Sequence, residues 1–234
     1  MLFDQTDKYV PVLLPVLATL VLHVSPALSV CPKPDPKVCA EFFKSETVFV
    51  GRVVSQRTAP PDGGFYDGWW CCLSVHKVFR GAARKTIEVF TENSSGRFPL
   101  EVGREYLLFA SKYSGRLVID NCGNSGLVSE AKDEIREIGQ IGNRSYGTIE
   151  GNIVSRPSWT GVGEIRVLAR GRGKIYPAIT DEEGRFHMTV QPGKYSIQVE
   201  SPRVSSFDLS YDNPNDFVVP KGGCAQLQFV AAPE

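Results

Sequence analysis

Six cysteines set the first constraint on this chain: Cys31, Cys39, Cys71, Cys72, Cys122 and Cys224. All of them lie downstream of an apolar, almost uncharged run from Val10 to Val24. That run is short for a bilayer-spanning helix, and it is followed by Ala27-Leu28-Ser29, the small-residue spacing a signal peptidase cleaves. Residues 1–29 therefore read as a signal peptide, and the expected location is secreted or periplasmic, within the cell envelope. Disulfides are the default use of cysteine in such a compartment. Five of the six precede Gly139 and only Cys224 follows it, so if all six pair, one bridge crosses between the two parts of the chain. The alternative is a Cys224 that stays free or dimerises. Cys71 and Cys72 are neighbours on a strand and point to opposite faces, which favours two bridges to two partners. Spacing alone does not choose among the pairings.

Removal of the signal leaves about 200 residues, enough for one large or two small domains. Basic and acidic residues balance at 26 each, with a pI near 6.8. No basic field exists to hold a phosphate backbone, so no nucleic-acid partner is expected. No later apolar run is long enough to cross a bilayer, so no membrane span is expected after signal removal.

Two segments carry helical spacing, and the rest reads as strand. Val38, Cys39, Phe42 and Phe43 form an apolar stripe on a helix of two turns behind Pro36. Ala131, Ile135 and Ile138 mark one face of a second helix, with Ser129 as N-cap and Gly139 and Gly142 as stops. Between the helices lie five strands: Thr47 to Gln56, Cys71 to Phe79, Thr86 to Thr91, Glu105 to Ser111 and Leu117 to Asn121. Glu105 to Ser111 is nearly all apolar and should be buried on both faces. Five short antiparallel strands with flanking helices suit a small closed barrel over residues 31–139. Gly139 to Tyr146 reads as a linker. Residues 147–234 then carry turn signals every ten residues or so, the pattern of a β-sandwich. Among them Asp181-Glu-Glu-Gly184 needs Gly184 at positive φ.

No nucleophile elbow, zinc-helix motif or metal-spaced histidine pair occurs, and His76 and His187 read as surface strand residues. No catalytic residue, metal site or cofactor is expected, and the chain is not expected to be an enzyme. Trp69 and Trp70 stand out because they follow the glycine-rich run Asp62-Gly-Gly-Phe-Tyr-Asp-Gly68. They are the binding candidates, with packing of one tryptophan into the barrel end as the alternative. Trp159 sits in a later loop.

Two resemblances add to these readings. Gly147-Thr-Ile-Glu-Gly151, Gly161-Val-Gly-Glu-Ile-Arg-Val167, Thr180-Asp-Glu-Glu-Gly-Arg-Phe186 and Pro192-Gly-Lys-Tyr-Ser-Ile-Gln-Val199 resemble the carboxypeptidase regulatory-like, transthyretin-like sandwich. Glu46-Thr-Val-Phe-Val-Gly-Arg-Val-Val54, Val75-His-Lys-Val-Phe-Arg-Gly81, Thr86 to Thr91, Val102-Gly-Arg-Glu-Tyr-Leu-Leu-Phe109 and Leu117 to Cys122 are similar, in order and spacing, to the netrin-like OB-fold of the tissue inhibitors of metalloproteinases. In that family the mature chain starts Cys-x-Cys, and the first cysteine's amine and carbonyl sit on the protease zinc. Cys31 matches the first position, while Lys33 stands where the second cysteine belongs. The resemblance also implies that Cys122 holds the N-terminal segment through Cys31 or Cys39. One of Cys71 and Cys72 would take the other N-terminal cysteine, and the remaining one would meet Cys224.

The fold expectation is thus a mainly β chain, an OB-fold-like five-stranded barrel followed by a transthyretin-like sandwich. The functional expectation is an exported, non-enzymatic binding protein with an extracytoplasmic protein or glycan partner. The alternative is a metalloprotease inhibitor that acts through the Cys31 edge.

Overall fold

Two strands of 13 residues, β1 (Thr47–Ala59) and β2 (Gly68–Arg80), form the backbone of the first sheet. The computed structural model describes residues 31, 35–61, 67–201, 204–206 and 212–231, and residues 1–30, where the signal peptide is expected, lie outside them. β1 and β2 are longer than the sequence pattern suggests, because β-bulges along their ladder let both strands bend without losing their partners. β3 (Thr86–Glu92), β4 (Glu105–Tyr113) and β5 (Arg116–Ile119) complete a cycle of pairings: β1–β2–β3–β5–β4 and back to β1. The β3–β5 step is parallel and the others are antiparallel. A short β6 (Gly126–Leu127) pairs with β4 outside the cycle. Inward positions alternate along the strands, and Phe49, Val53, Cys71, Leu73, Val89 and Leu108 meet in one apolar cluster. Tyr106 to Ala110 of β4 are all buried, so that strand is covered on both faces as expected.

The outer face of β1 and β4 is covered by α1 (Val38–Lys44) and α2 (Lys132–Ile141). Val38 and Phe42 from α1 meet Ile138 and Ile141 from α2 over Val48, Val50, Leu107 and Phe109. The second helix does not start at Ser129. Residues 127–131 form a turn in which the Glu130 and Ala131 amides donate to the Leu127 carbonyl, so Ala131 becomes the N-cap. Gly139 lies inside the helix rather than ending it, because Ile141 must reach the shared core, and the connection shrinks to residues 142–146.

Beyond that connection lie two four-stranded sheets. One runs β10 (Arg185–Val190), β7 (Gly147–Ser155), β14 (Cys224–Ala231), β12 (Val204–Ser206). The other runs β13 (Phe217–Val219), β11 (Gly193–Glu200), β8 (Arg166–Gly171), β9 (Lys174–Ile179). Ile149, Ile153 and Leu227 from the first meet Val167, Ala169 and Ile197 from the second in a single core. β14 pairs with β7 in parallel, which brings the last strand back beside the first strand of this half. Gly184 has φ +75 in the turn before β10, as the turn chemistry requires.

The two halves are tied together at one end of β14. Cys39 on α1 is bonded to Cys224, the first residue of β14, and Cys31 is bonded to Cys122. Lys37 Nζ lies 3.1 Å from Glu150, and Lys44 Nζ lies 3.1 Å from Asp212. The Lys37 amide donates to Gln226 Oε1, and Gln226 Nε2 donates to the Asp35 carbonyl. Gly222, at φ +73, donates to the Tyr146 carbonyl, and a Cβ there would run into the Ile141 carbonyl oxygen. Only glycine fits at that crossing.

The disulfide pattern corrects the expectation for Cys71 and Cys72, which are both free. One bridge does join the two halves, but through Cys39. Cys71 points inward and is fully buried, with Gln56 Nε2 donating to its sulfur at 3.4 Å. Cys72 points outward and is half-buried. Cys71 belongs to the core of the first sheet and not to the helix-covered cluster that holds Cys39 and Cys224. Cys39 lies on the buried face of α1, and Cys224 belongs to the same apolar cluster.

Candidate functional site

Trp69 and Trp70 are consecutive on β2, so the strand turns one inward and the other outward. Trp69 lies on the same side as Cys71 and Leu73 and packs against the core of the first sheet. The Arg97 guanidinium stacks 4.2 Å from its ring centroid, carried there by a turn in which the Arg97 amide donates to the Ser94 carbonyl. Trp69 therefore packs on the inner side of the first sheet and is half-buried there, as Trp70 is on the outer side. Of the two binding candidates, the inward Trp69 fits the packing alternative and the outward Trp70 fits the binding one.

Trp70 occupies the outer face. The register places Arg57 of β1, Trp70 of β2, Phe90 of β3 and Val118 of β5 in one row across four strands. The Trp70 ring meets Phe90 edge-on at 5.4 Å. The guanidinium groups of Arg57 and Arg116 each lie 5.3 Å from its centroid, and Arg116 also lies 4.7 Å from the Phe90 ring. Arg57 further pairs with Glu88 at 3.3 Å. Each cation–π contact at such a site contributes about 0.5–1 kcal/mol. Together they hold the indole in one orientation and keep its flank half-covered. A groove of about 490 Å³ opens beside this row, lined by Trp70, Arg84, Glu88, Lys112 and Arg116 among others. Three cations and the two acids Glu46 and Glu88 border it, giving a mildly basic rim around an aromatic anchor.

The Cys31 edge is a separate region. The Cys31–Cys122 bridge fixes it to the loop after β5, and that loop is held by Glu41. The Asn124 amide donates to Glu41 Oε2 at 2.7 Å and its side-chain Nδ2 at 2.6 Å, while Nδ2 also donates to the Pro36 carbonyl. Glu41 is buried on α1, and its burial pushes the carboxyl above the usual range despite those donors. A hollow of about 480 Å³ beside Cys31 is bordered by Asp35, Asn121, Glu130 and Glu134. Lys33 lies outside the described residues.

His76 faces Glu105 on the surface of the first sheet, and His187 is 57% exposed in side chain, 3.6 Å from Glu150. Trp159 is an exposed loop residue with Arg156 stacked 5.0 Å from its ring. Among the described residues, no group of three or more histidine, cysteine or acidic side chains could hold a metal ion. No helix among them is long and apolar enough to cross a membrane.

Sequence reasoning missed Arg57, Arg97 and Arg116. Their role depends on cross-strand register, which no local pattern encodes. The alternation along β2 did carry the signal that separates Trp69 from Trp70.

No protein-family model matches the chain, and no curated protein matches it. A solved structure described as "Molecular basis for abrogation of activation of pro-inflammatory cytokines" shares 11% identity with it, over 74% of this chain and 93% of that one, at a TM-score of 0.26. A likeness that distant carries no argument about fold or function.

Proposed function

We propose that this chain is an exported, non-enzymatic interaction protein whose partner is an extracytoplasmic protein docked on the Trp70 face. The observation that carries this is the row Arg57–Trp70–Phe90–Val118 beside a groove with a mildly basic rim. Tryptophan and arginine are the residue types that dominate binding hot spots, and here they are preordered against each other. A partner presenting acidic side chains around an apolar knob fits both the indole and the rim. The closed cycle of strand pairings supports an OB-like barrel for residues 31–139, and the two facing sheets support a transthyretin-like sandwich for residues 147–234. In this reading the Cys39–Cys224 bridge holds the sandwich as a rigid backing to the barrel. Capture from the native envelope or medium, with wild type and Trp70→Ala in parallel, tests it. The partner should be lost with the variant, and equal capture would contradict the reading.

A second reading is favoured by one observation, the Cys31–Cys122 bridge that anchors the N-terminal edge. If the mature chain begins at Cys31, its free amine could face a protease zinc. Sequencing of the mature N-terminus together with a metalloprotease inhibition assay decides it: a start at Val30 or the absence of inhibition removes this reading.

A further inference from the structure

The sheet β13–β11–β8–β9 has an outer face of its own, apart from the Trp70 face. Val167, Ala169 and Ile197 enter the core, and Tyr176, Ala178 and Val199 pack against it, so the alternate positions point away from it. Those positions fall in cross-strand rows. The first row is Ile175–Arg170–Ser196, and the middle row is Pro177–Leu168–Gln198. The third is Ile179–Arg166–Glu200. Ile175 is 52% exposed and Ile179 is 67% exposed, one on each side of Pro177. With that proline they form an apolar stripe of about 14 Å along β9, the edge strand.

The charges on this face are split along the strands. No acidic residue occurs from Ile165 to Thr180, while Arg166, Arg170, Arg172 and Lys174 all fall in that span. At the hairpin end, Arg170 donates to Gln198 Oε1 at 2.9 Å and Arg172 donates to the Pro192 carbonyl at 2.8 Å. Both guanidinium groups are thus held by neutral acceptors rather than by carboxylates. At the opposite end, Glu200 lies 3.5 Å from Arg166. There β9 runs on into Asp181, Glu182 and Glu183, of which Arg185 pairs with Asp181 and Glu183. The face is basic at one end, net acidic at the other and apolar between.

We infer that this face packs against the same face of a second copy of the chain, about a two-fold axis along the Pro177–Leu168–Gln198 row. The axis sets the strands of the two copies in opposite directions. Ile175 then meets Ile179 of the second copy, and Arg170 meets Glu200 of the second copy. Each contact occurs twice, as a two-fold interface requires. The basic hairpin of one copy lies over the acidic turn of the other. A partner of a single charge sign would meet repulsion at one end of the face, and a second copy does not. Pro177 has no N–H to give to a strand ladder, so the copies pack face to face instead of joining their β9 edges. Four strands about 4.8 Å apart make a face roughly 15 Å wide, at the small end for a specific interface, so the dimer should be weak. This inference does not rest on the Trp70 reading.

Sedimentation velocity of the full mature chain from about 1 to about 300 µM tests it. The average mass should rise from monomer toward dimer over that range. Ile175→Asp, Arg170→Glu and Glu200→Arg should each weaken association by about tenfold or more. All three positions are exposed, so the variants should fold, and an unchanged melting temperature checks this. Arg170→Glu sets two acids opposite each other in both halves of the interface, and Glu200→Arg sets two arginines opposite each other. Mixing these two variants restores opposite charges at both places, so the mixture should form a heterodimer although neither variant associates alone. The inference is overturned if the wild type stays monomeric at about 300 µM. It is equally overturned if the dimer survives the three variants, or if the mixed charge variants fail to associate.

Discussion

Cys39, on the helix that precedes the first strand, is bonded to Cys224, the first residue of the last strand, across 185 residues of sequence. Cys31 is bonded to Cys122 across 91. Loops of this size stabilise by roughly 5 kcal/mol each in the chain-entropy account, less any strain. The first bridge joins the α1–α2 layer to the pair of four-stranded sheets, where Gly222, Lys37, Lys44 and Gln226 make further cross-contacts.

Non-reducing peptide mapping should therefore return Cys31–Cys122 and Cys39–Cys224, with Cys71 and Cys72 alkylated. A linkage from Cys71 or Cys72 to any of the other four would contradict the fold at the junction. Cys39→Ser with Cys224→Ser should lower the unfolding free energy by up to about 5 kcal/mol.

The two free thiols should differ in access. Cys72 lies on the outer face, while Cys71 is fully buried beside Gln56, and burial pushes its thiol above the usual range. A maleimide should label Cys72 in the native protein and Cys71 only after unfolding. Equal labelling rates would show that β2 does not alternate as described.

Much of this architecture is legible in the sequence, and the losses have physical causes. Period-two patterns locate β3 and β10, and apolar density marks β4 as buried on both faces. The short β6, β12 and β13 lack enough residues for a period to register. The Cys39–Cys224 bridge is not legible because it depends on where α1 lies against β14, a long-range packing event. The opposite facing of Trp69 and Trp70 follows from strand alternation alone. The arginines that order Trp70 come from β1 and β5, and only the register joins them.

Glu41 provides a pH test. Burial, with a smaller contribution from Asp120, raises its folded pKa above the ordinary 4.5, while the Asn124 donors oppose that rise. Between 4.5 and the raised value the unfolded chain binds fewer protons than the folded one. Stability from this group therefore falls as pH rises through that window, and it is fully present below it. The difference in urea unfolding free energy, Glu41→Gln minus wild type, should increase from pH about 4.5 to about 7. A flat difference would mean that Glu41 titrates normally.

The central claim is that Trp70 is an interaction anchor while Trp69 is structural, and a paired measurement of affinity and melting temperature tests it most directly. Trp69→Ala should cost about 3 kcal/mol or more through lost core packing, with affinity for the captured partner retained. Trp70→Ala should cost about 1–2 kcal/mol and weaken that affinity by tenfold or more. A Trp70→Ala variant that binds its partner as wild type does, or a Trp69→Ala variant that loses affinity while keeping its melting temperature, would contradict the account.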